Sequence, residues 1–431
     1  MFPEEEFISR RRKVFDRMEP NALAILPGNI RMGEFLPFRQ AKEFYYLCGI
    51  EVPNSYLLLD GRDRRTILYL PKRDPRRERS EGPSLSSDDP ELVRELTGVE
   101  EVRSPEELLG DIPEDAEIIY MPLRPEFHVP PGPLSGWKTR TEYLREKVQE
   151  RAPRAEIRDL SLITAPLRLL KSDSEVEAMR VAGKLAALAV TEAMRCAGPG
   201  VMEYQLAAVA DYIFLVNGAK GGGYNPIVAS GPNIWYGHYS RNDRRLQDGD
   251  LVLMDYAPDY KGYTSDIGRM FPANGRYSRW QRELYGFVVE YHKTLLKRIR
   301  AGITAEEVLE GAAEEMRRLV EKVGFSKPAY EKAARGMLTF KGHLSHSVGM
   351  EVHDPGNYRS EPLRPGLVFS VDPQMWVPEE RLYIRVEDTV LVTEDGVEVL
   401  TGSAPLELED VERTMREEGL LDMRGNSYVI R

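Results

Sequence analysis

Two stretches of the chain repeat one pattern, LQDGDLVLMD at residues 246–255 and LRPGLVFSVD at residues 363–372. In each stretch a turn glycine is followed six residues later by an aspartate that ends an apolar run, a pattern typical of a turn and a buried strand. A second apolar run with its own acid follows each copy, Asp266 in the first and Glu387 in the second. Helical patterns lead into both copies. The repeat therefore predicts a pseudo-symmetric sheet covered by helices, with a site between its two halves.

The acids of the two copies indicate a metal site. They are Asp255, Asp266, Asp372 and Glu387, each beside or within an apolar run, and His346 precedes the second copy. An ion pair or a solvated strand end would explain any one of them alone, but several converging buried carboxylates require a cation. Oxygen-rich ligands with one imidazole suit divalent Mn, Co, Zn or Fe rather than a thiolate zinc site. The set predicts a two-metal hydrolase.

The histidines concentrate in the same part of the chain. Six occur, and four of them fall in the segments around these acids: His238, His343, His346 and His353. Acids and histidines that cluster in this way favour one shared functional site over separate structural roles. The other two, His128 and His292, are interpreted as ordinary surface or packing residues.

Composition limits the classes of function. A chain of 431 residues with 42% hydrophobic and 30% charged residues is expected to form two or three soluble globular domains. The net charge of -11 argues against nucleic acid or an anionic membrane as a partner. The acidic start of the chain has no apolar core for export, and no apolar run is long enough to span a bilayer. Cys48 and Cys196 are interpreted as buried reduced thiols, so a cytoplasmic location is expected.

The first part of the chain, residues 1–165, alternates strand and helix patterns and predicts an α/β domain without a catalytic constellation of its own. Within it, the basic run from Arg10 to Lys13 is interpreted as the solvated face of a helix over residues 5–18. The stretch from Lys72 to Pro90, rich in charge, serine and proline, is interpreted as an exposed loop.

The second part, residues 166–431, is predicted to be the catalytic domain. Two capping boxes predict where its helices begin. In one, Ser172 precedes Glu175 by three residues, and in the other Thr304 precedes Glu307 by three residues.

Several motifs occur along the chain in the order and spacing of a known protein family. The chain resembles the aminopeptidase P (Xaa-Pro aminopeptidase) group of the creatinase/methionine aminopeptidase superfamily, peptidase family M24. The motifs that carry the resemblance are FRQ (38–40), FYYLCG (44–49), residues 73–83, DGDLVLMD (248–255), residues 261–269, residues 346–354 and RVED (385–388). The resemblance implies an α+β protein, with a pseudo-symmetric pita-bread catalytic domain preceded by a smaller, creatinase-like α/β domain.

The resemblance also implies a ligand for each metal position. Asp255 would hold one ion, Asp266 and Glu387 would bridge two ions, and His346 with Asp372 would complete the second. Two divalent ions are therefore expected, with Mn²⁺ as the first choice and Co²⁺, Zn²⁺ or Fe²⁺ as alternatives.

Further roles follow from the same resemblance. His238 and His353 would bind the substrate and stabilise or shuttle charge in the tetrahedral intermediate, and Arg385 would orient the neighbouring acids. His343 would also lie at the substrate. The implied substrate is a peptide with proline at its second position, and the implied assembly is a homodimer or homotetramer formed through the N-terminal domain.

Two departures from the family pattern leave alternatives open. Aspartate stands at position 372 where the family has glutamate, and Gly342 stands where the family has a histidine, with His343 one position later. The leading hypothesis is an aminopeptidase that releases the first residue of Xaa-Pro peptides. The alternatives are a prolidase restricted to dipeptides, a non-catalytic pita-bread protein that binds peptides or proteins, and a metal-free creatinase-like amidinohydrolase.

Overall fold

The structure is a computed structural model that describes residues 2–31, 33, 36–124 and 138–421. It divides into two compact units, Met1–Leu167 and Arg168–Arg431, where the sequence predicts a boundary after residue 165. In the ranges described, no helix is both long enough and apolar enough to cross a membrane. His128 lies outside the described residues.

The first unit is built on a mixed sheet. Its strands are β1 (Leu23–Pro27), β2 (Tyr56–Asp60), β3 (Arg65–Tyr69), β4 (Glu101–Arg103), β5 (Ile118–Met121) and β6 (Glu156–Asp159). Its helices are α1 (Glu4–Phe15), α2 (Lys42–Cys48), α3 (Pro75–Glu81), α4 (Pro90–Thr97), α5 (Leu108–Asp111), α6 (Arg140–Arg151) and α7 (Ser161–Leu169), the last of which contains the point of division. Within the described part, the strand order is β4-β3-β2-β1-β5-β6. Strand β1 lies in the middle of the sheet, where it pairs antiparallel with β2 and parallel with β5. All five of its residues are buried.

The prediction of a solvated basic face on α1 is wrong for two of its four residues. Arg10 and Arg11 are buried, whereas Arg12 and Lys13 are exposed. The Arg10 guanidinium donates to the carbonyl of Tyr46, and Arg11 donates to the carbonyls of Leu47, Thr97 and Gly98. These carbonyls belong to the ends of α2 and α4, where the backbone lacks helical partners. The two arginines therefore act as buried helix caps.

The prediction of a loop from Lys72 to Pro90 is also wrong in part, because α3 forms within it. The Asp74 side chain accepts hydrogen bonds from the backbone N–H groups of Arg76 and Arg77, and Pro75 is the first helical residue. Aspartate at the cap and proline in the first turn are strong helix-start signals. The prediction that this stretch is exposed fits α3, none of whose residues is buried.

Both cysteines are buried thiols, as predicted. Burial raises the pKa of the Cys48 thiol to about 12, so almost none of the reactive thiolate is present at neutral pH. We therefore expect neither thiol to react with a disulfide reagent at pH 8 in the folded protein, and both to react after unfolding in guanidinium. Rapid labelling of the folded protein would contradict this assignment.

The second unit contains the repeated strands. Its helices are α8 (Asp173–Cys196), α9 (Glu203–Val216), α10 (Arg279–Leu296), α11 (Ala305–Val320), α12 (Pro328–Met337) and α13 (Leu408–Thr414). Its strands are β7 (Ile227–Ser230), β8 (Leu251–Asp255), β9 (Ile267–Pro272), β10 (Leu344–Ser347), β11 (Val368–Val371), β12 (Gln374–Val377), β13 (Leu382–Arg385), β14 (Glu387–Val392) and β15 (Val397–Val399). The main sheet has the order β10-β11-β14-β9-β8-β7 with β15 beside β14, and β12 pairs with β13.

The two copies of the repeat lie side by side in this sheet. Strand β8 pairs antiparallel with β9, and β11 pairs antiparallel with β14. The two pairs meet where β9 and β14 adjoin, with Glu387 opposite Gly268. A Cβ at Gly268 would lie only 3.0 Å from the Glu387 Cβ, so glycine permits this close approach. The predicted pseudo-symmetric sheet is confirmed.

Both predicted capping boxes are also confirmed. Ser172 caps α8 and Thr304 caps α11. In each case the hydroxyl accepts a hydrogen bond from the backbone of the glutamate three residues later, and that glutamate accepts one from the cap residue's own N–H.

Candidate metal centre

Three of the predicted ligands converge where the two copies meet. One ligand atom each from Asp266, His346 and Glu387 lies within 4.8 Å of the other two. The His346 Nε2 is 3.4 Å from Asp266 Oδ2. Both acids are buried, and His346 is half-buried. The turn into β9, the edge strand β10 and the start of β14 supply the three side chains, so the sheet itself fixes their positions.

Arg385 connects the remaining two acids to this group. Its Nη1 lies 3.1 Å from Asp255 Oδ2, its Nε lies 3.0 Å from Asp372 Oδ1, and its guanidinium also contacts Glu387. The guanidinium thus contacts three of the four carboxylates, and all five groups are buried. That Arg385 orients the neighbouring acids for catalysis stays a prediction. A cluster with this excess of buried negative charge fits a divalent cation, and its four oxygen donors and one imidazole suit the ions predicted from the sequence.

Tyr224 belongs to the cluster and was not predicted. Its hydroxyl oxygen lies 2.7 Å from Asp255 Oδ1 and 2.9 Å from Asp266 Oδ1. A phenol carries one hydrogen and can donate to only one of these oxygens at a time. Tyr224 follows three glycines outside any helix or strand pattern, so its sequence context gave no signal.

Burial and the nearby charges perturb the titration of the cluster. Burial and the Asp255 carboxylate together raise the pKa of Asp266 well above its ordinary value. Burial, with a smaller contribution from His353, lowers the pKa of His346 to about 4. Burial and then His238 lower the pKa of His353. Both perturbed imidazoles are therefore neutral near pH 7, the form in which histidine binds a metal.

A cavity of about 640 Å³ opens onto these residues. Seven of the predicted site residues line it: His238, Asp255, Asp266, His346, His353, Asp372 and Arg385. The His353 ring centroid is 4.0 Å from that of His346 and 6.4 Å from that of His238. The two loop histidines thus lie beside the converging ligands.

His343 does not line this cavity. It is buried, its Nε2 is 2.8 Å from the Met337 carbonyl oxygen, and its Nδ1 accepts a hydrogen bond of 3.3 Å from the Gln374 backbone. Its ring packs edge-on against Tyr291 and Phe340. Both ring nitrogens are therefore engaged within the fold, and this geometry does not support the predicted substrate contact.

Asp372, the aspartate at the family's glutamate position, is held from several directions. Its backbone N–H donates to the His343 carbonyl at 2.7 Å, and the Gln374 amide donates to its Oδ2. With Arg385 on Oδ1, both carboxylate oxygens are engaged. The shorter side chain thus lies at the cavity wall, oriented by Gln374 and Arg385.

Known proteins match the chain over both units. A family model described as "Metallopeptidase family M24" matches residues 177–394, and one described as "Aminopeptidase P, N-terminal domain" matches residues 7–118. The Xaa-Pro aminopeptidase of Haemophilus influenzae is 32% identical, over 96% of this chain and 97% of that protein. A relative of the same name in Escherichia coli is 32% identical, over 95% and 97%.

Solved structures give the same result. The aminopeptidase P of E. coli with the inhibitor Pro-Leu superposes with a TM-score of 0.82 at 29% identity, over 96% of this chain and 98% of that one. A zinc-substituted form of that enzyme in complex with product matches equally well. These matches confirm the resemblance and the fold class predicted from the sequence. The chain belongs to metallopeptidase family M24 and carries an N-terminal domain of the aminopeptidase P type.

Proposed function

We propose that this protein is a metal-dependent aminopeptidase that hydrolyses the N-terminal Xaa-Pro bond of peptides. The observation that carries the proposal is the convergence of Asp266, His346 and Glu387 beside a cavity that also contains His238 and His353. The Xaa-Pro aminopeptidases that match it do so over nearly their whole length.

The proposed ligand set uses all five predicted residues. Asp255 would hold one ion, Asp266 and Glu387 would contact both, and His346 with Asp372 would complete the second. Mn²⁺ is the first choice, with Co²⁺, Zn²⁺ or Fe²⁺ as alternatives. When bound, such ions lower the pKa of a coordinated water and polarise a carbonyl group.

The two loop histidines would act on the substrate directly, whereas Arg385 would act through the acids that it contacts. His353 is neutral near pH 7 because its pKa is lowered. Its imidazole N–H, with that of His238, could donate to the carbonyl oxygen as negative charge develops there. Arg385 would keep Asp255, Asp372 and Glu387 in place through the contacts that it already makes.

An aromatic wall supports a preference for proline. Trp376 packs against Tyr383 with ring centroids 4.1 Å apart, and both residues line the cavity. The amide nitrogen of proline has no hydrogen to donate and its ring is compact and apolar, so an apolar wall offers it a favourable surface.

We also infer a homodimer or homotetramer formed through the N-terminal unit, and a cytoplasmic location. The first rests on the resemblance to aminopeptidase P. The second rests on the two cysteines, which are buried thiols.

Hydrolysis of Ala-Pro-Ala, Ala-Pro and Ala-Ala-Ala by chelator-treated protein, with and without Mn²⁺, tests the proposal. We expect Mn²⁺-dependent release of alanine from Ala-Pro-Ala and much slower cleavage of Ala-Ala-Ala. Cleavage of Ala-Pro alone would make the protein a prolidase. No cleavage with Mn²⁺, Co²⁺, Zn²⁺ or Fe²⁺ would overturn the catalytic proposal and favour a peptide-binding role.

A further inference from the structure

A second cavity, of about 350 Å³, lies between α12 and β12. Along α12 it is lined by small side chains at Ala329, Ala333 and Gly336, three positions that share one helix face. Phe340 and Trp376 also line it, and both are exposed, at 49% and 42% of their surface. Large aromatic side chains exposed in a concave surface are typical of a binding site.

This second cavity adjoins the catalytic cavity. Gln374 and Trp376 line both of them. Because the two residues are alternate positions of β12, they lie on the same face of that strand, while Met375 and Val377 point into the core. Gln374 is also the residue that donates to Asp372. The two cavities are therefore continuous along this face of β12.

The wall formed by Phe340 depends on a departure from the family sequence. A Cβ at Gly342 would lie 2.3 Å from a carbon of the Phe340 ring, so any other residue at position 342 would displace that ring. Phe340 also packs edge-on against His343, with ring centroids 5.0 Å apart. Glycine at 342 and histidine at 343 thus together hold Phe340 beside the cavity.

The charges at this cavity neutralise one another. Lys332 Nζ lies 2.8 Å from Glu379 Oε1 in an exposed ion pair, and both residues are part of the lining. With that pair formed, the lining offers an apolar side chain small residues, Met337 and two aromatic rings. A charged side chain would meet only the Lys332–Glu379 ion pair, whose two charges already neutralise each other.

We propose that the second cavity binds the side chain of the substrate residue that follows proline, with a preference for large apolar side chains such as leucine and phenylalanine. This inference rests on the proposed function. The first residue and proline would occupy the catalytic cavity, because the bond between them must reach Asp266, His346 and Glu387. The third residue is then the first that can extend beyond Gln374 and Trp376 into the second cavity. A dipeptide has no residue for this cavity, so its presence also favours an aminopeptidase over a prolidase.

The test compares kcat/KM for Ala-Pro-Ala, Ala-Pro-Leu, Ala-Pro-Phe and Ala-Pro-Asp. We expect the unaltered protein to prefer leucine and phenylalanine over alanine at the third position by about tenfold or more, and to disfavour aspartate. In Ala333→Leu the added side chain fills the cavity, and in Gly342→Ala the Phe340 ring must move. Each substitution should reduce the leucine-to-alanine ratio to within about threefold of one.

Arg335→Leu is the matched control, because Arg335 lies on α12 but does not line the cavity. It should keep the full preference. Equal cleavage of all four peptides by the unaltered protein would overturn this inference and leave the proposed function standing. A preference unchanged in Ala333→Leu and Gly342→Ala, or a change confined to the first residue of the peptide, would also overturn it. Failure to cleave any of the peptides would overturn the proposed function and this inference with it.

Discussion

Asp266→Asn is expected to remove metal binding and peptide hydrolysis together. Asp266 Oδ2 lies 3.4 Å from His346 Nε2, and Asp266 is proposed to contact both ions. Asparagine keeps the size of the side chain but lacks its charge, and the loss of a shared ligand should weaken Mn²⁺ binding by at least about 100-fold, the upper end of what outer-shell changes cause. Calorimetric titration of the metal-free protein with Mn²⁺ measures the affinity, and kcat/KM for Ala-Pro-Ala measures the activity.

The same substitution should not damage the fold. Burial and the nearby Asp255 carboxylate disfavour the charged form of Asp266, so removing the charge relieves a repulsion in the metal-free protein. We expect metal-free Asp266→Asn to unfold at the same denaturant concentration as the metal-free parent, or a higher one. Asp248→Asn is the control, since Asp248 is exposed and should keep both affinity and activity. Full activity of Asp266→Asn would contradict the proposed site.

The positions of the acids could be predicted because they depend on strand pattern. A turn glycine and an apolar run place Asp255 and Asp372 at corresponding strand ends, and sheet pairing then brings Asp266 and Glu387 between them. Histidines in loops beside a predicted strand end could be assigned to the site by the same reasoning. The periodic pattern of a strand is a local property that the sequence states directly.

Other features depend on contacts between residues far apart in the chain. Arg10 and Arg11 resemble a surface run until the carbonyls at the ends of α2 and α4 are known to face them. The orientation of Tyr224 is set by Asp255 and Asp266, which lie 31 and 42 residues later. The His343 ring packs against Phe340 in the core rather than lining the cavity. The Phe340 ring can lie there because Gly342 has no Cβ in its way. Such side-chain orientations have no periodic signal in the sequence.

Arg269→Met is expected to destabilise the second unit by about 3–5 kcal/mol, because it leaves a buried carboxylate short of a partner. Arg269 is 1% exposed, and its guanidinium donates to Asp388 Oδ1 at 2.8 Å and to the Glu387 carbonyl at 2.7 Å. His292 Nε2 lies 2.8 Å from the other Asp388 oxygen. The interpretation of His292 as a packing residue therefore omits its contact with Asp388, which follows the proposed metal ligand Glu387.

The effect should depend on pH in a defined direction. Burial alone would raise the pKa of Asp388, but Arg269 and His292 outweigh it and hold that pKa well below its ordinary value. A carboxyl group with a lowered folded-state pKa stabilises the fold above its unfolded-state pKa of about 3.9, and this contribution is lost as the pH falls through the folded-state value. The difference in unfolding free energy between the parent and Arg269→Met should therefore be largest near pH 7 and shrink below about pH 4.

Guanidinium unfolding at pH 7 and at pH 3.5, followed by tryptophan fluorescence, measures this difference, since three of the four tryptophans, Trp235, Trp280 and Trp376, lie in the second unit. Arg276→Met is the control, because Arg276 is exposed on the turn after β9 and its loss should change the free energy by no more than about 0.5 kcal/mol. Equal stability of the two variants would mean that Asp388 needs no cation in the fold. A difference that is the same at both pH values would mean that Arg269 acts through packing and its backbone contacts rather than through its charge. The expected result would instead show that this ion pair stabilises the start of β14, the strand that carries the proposed metal ligand Glu387.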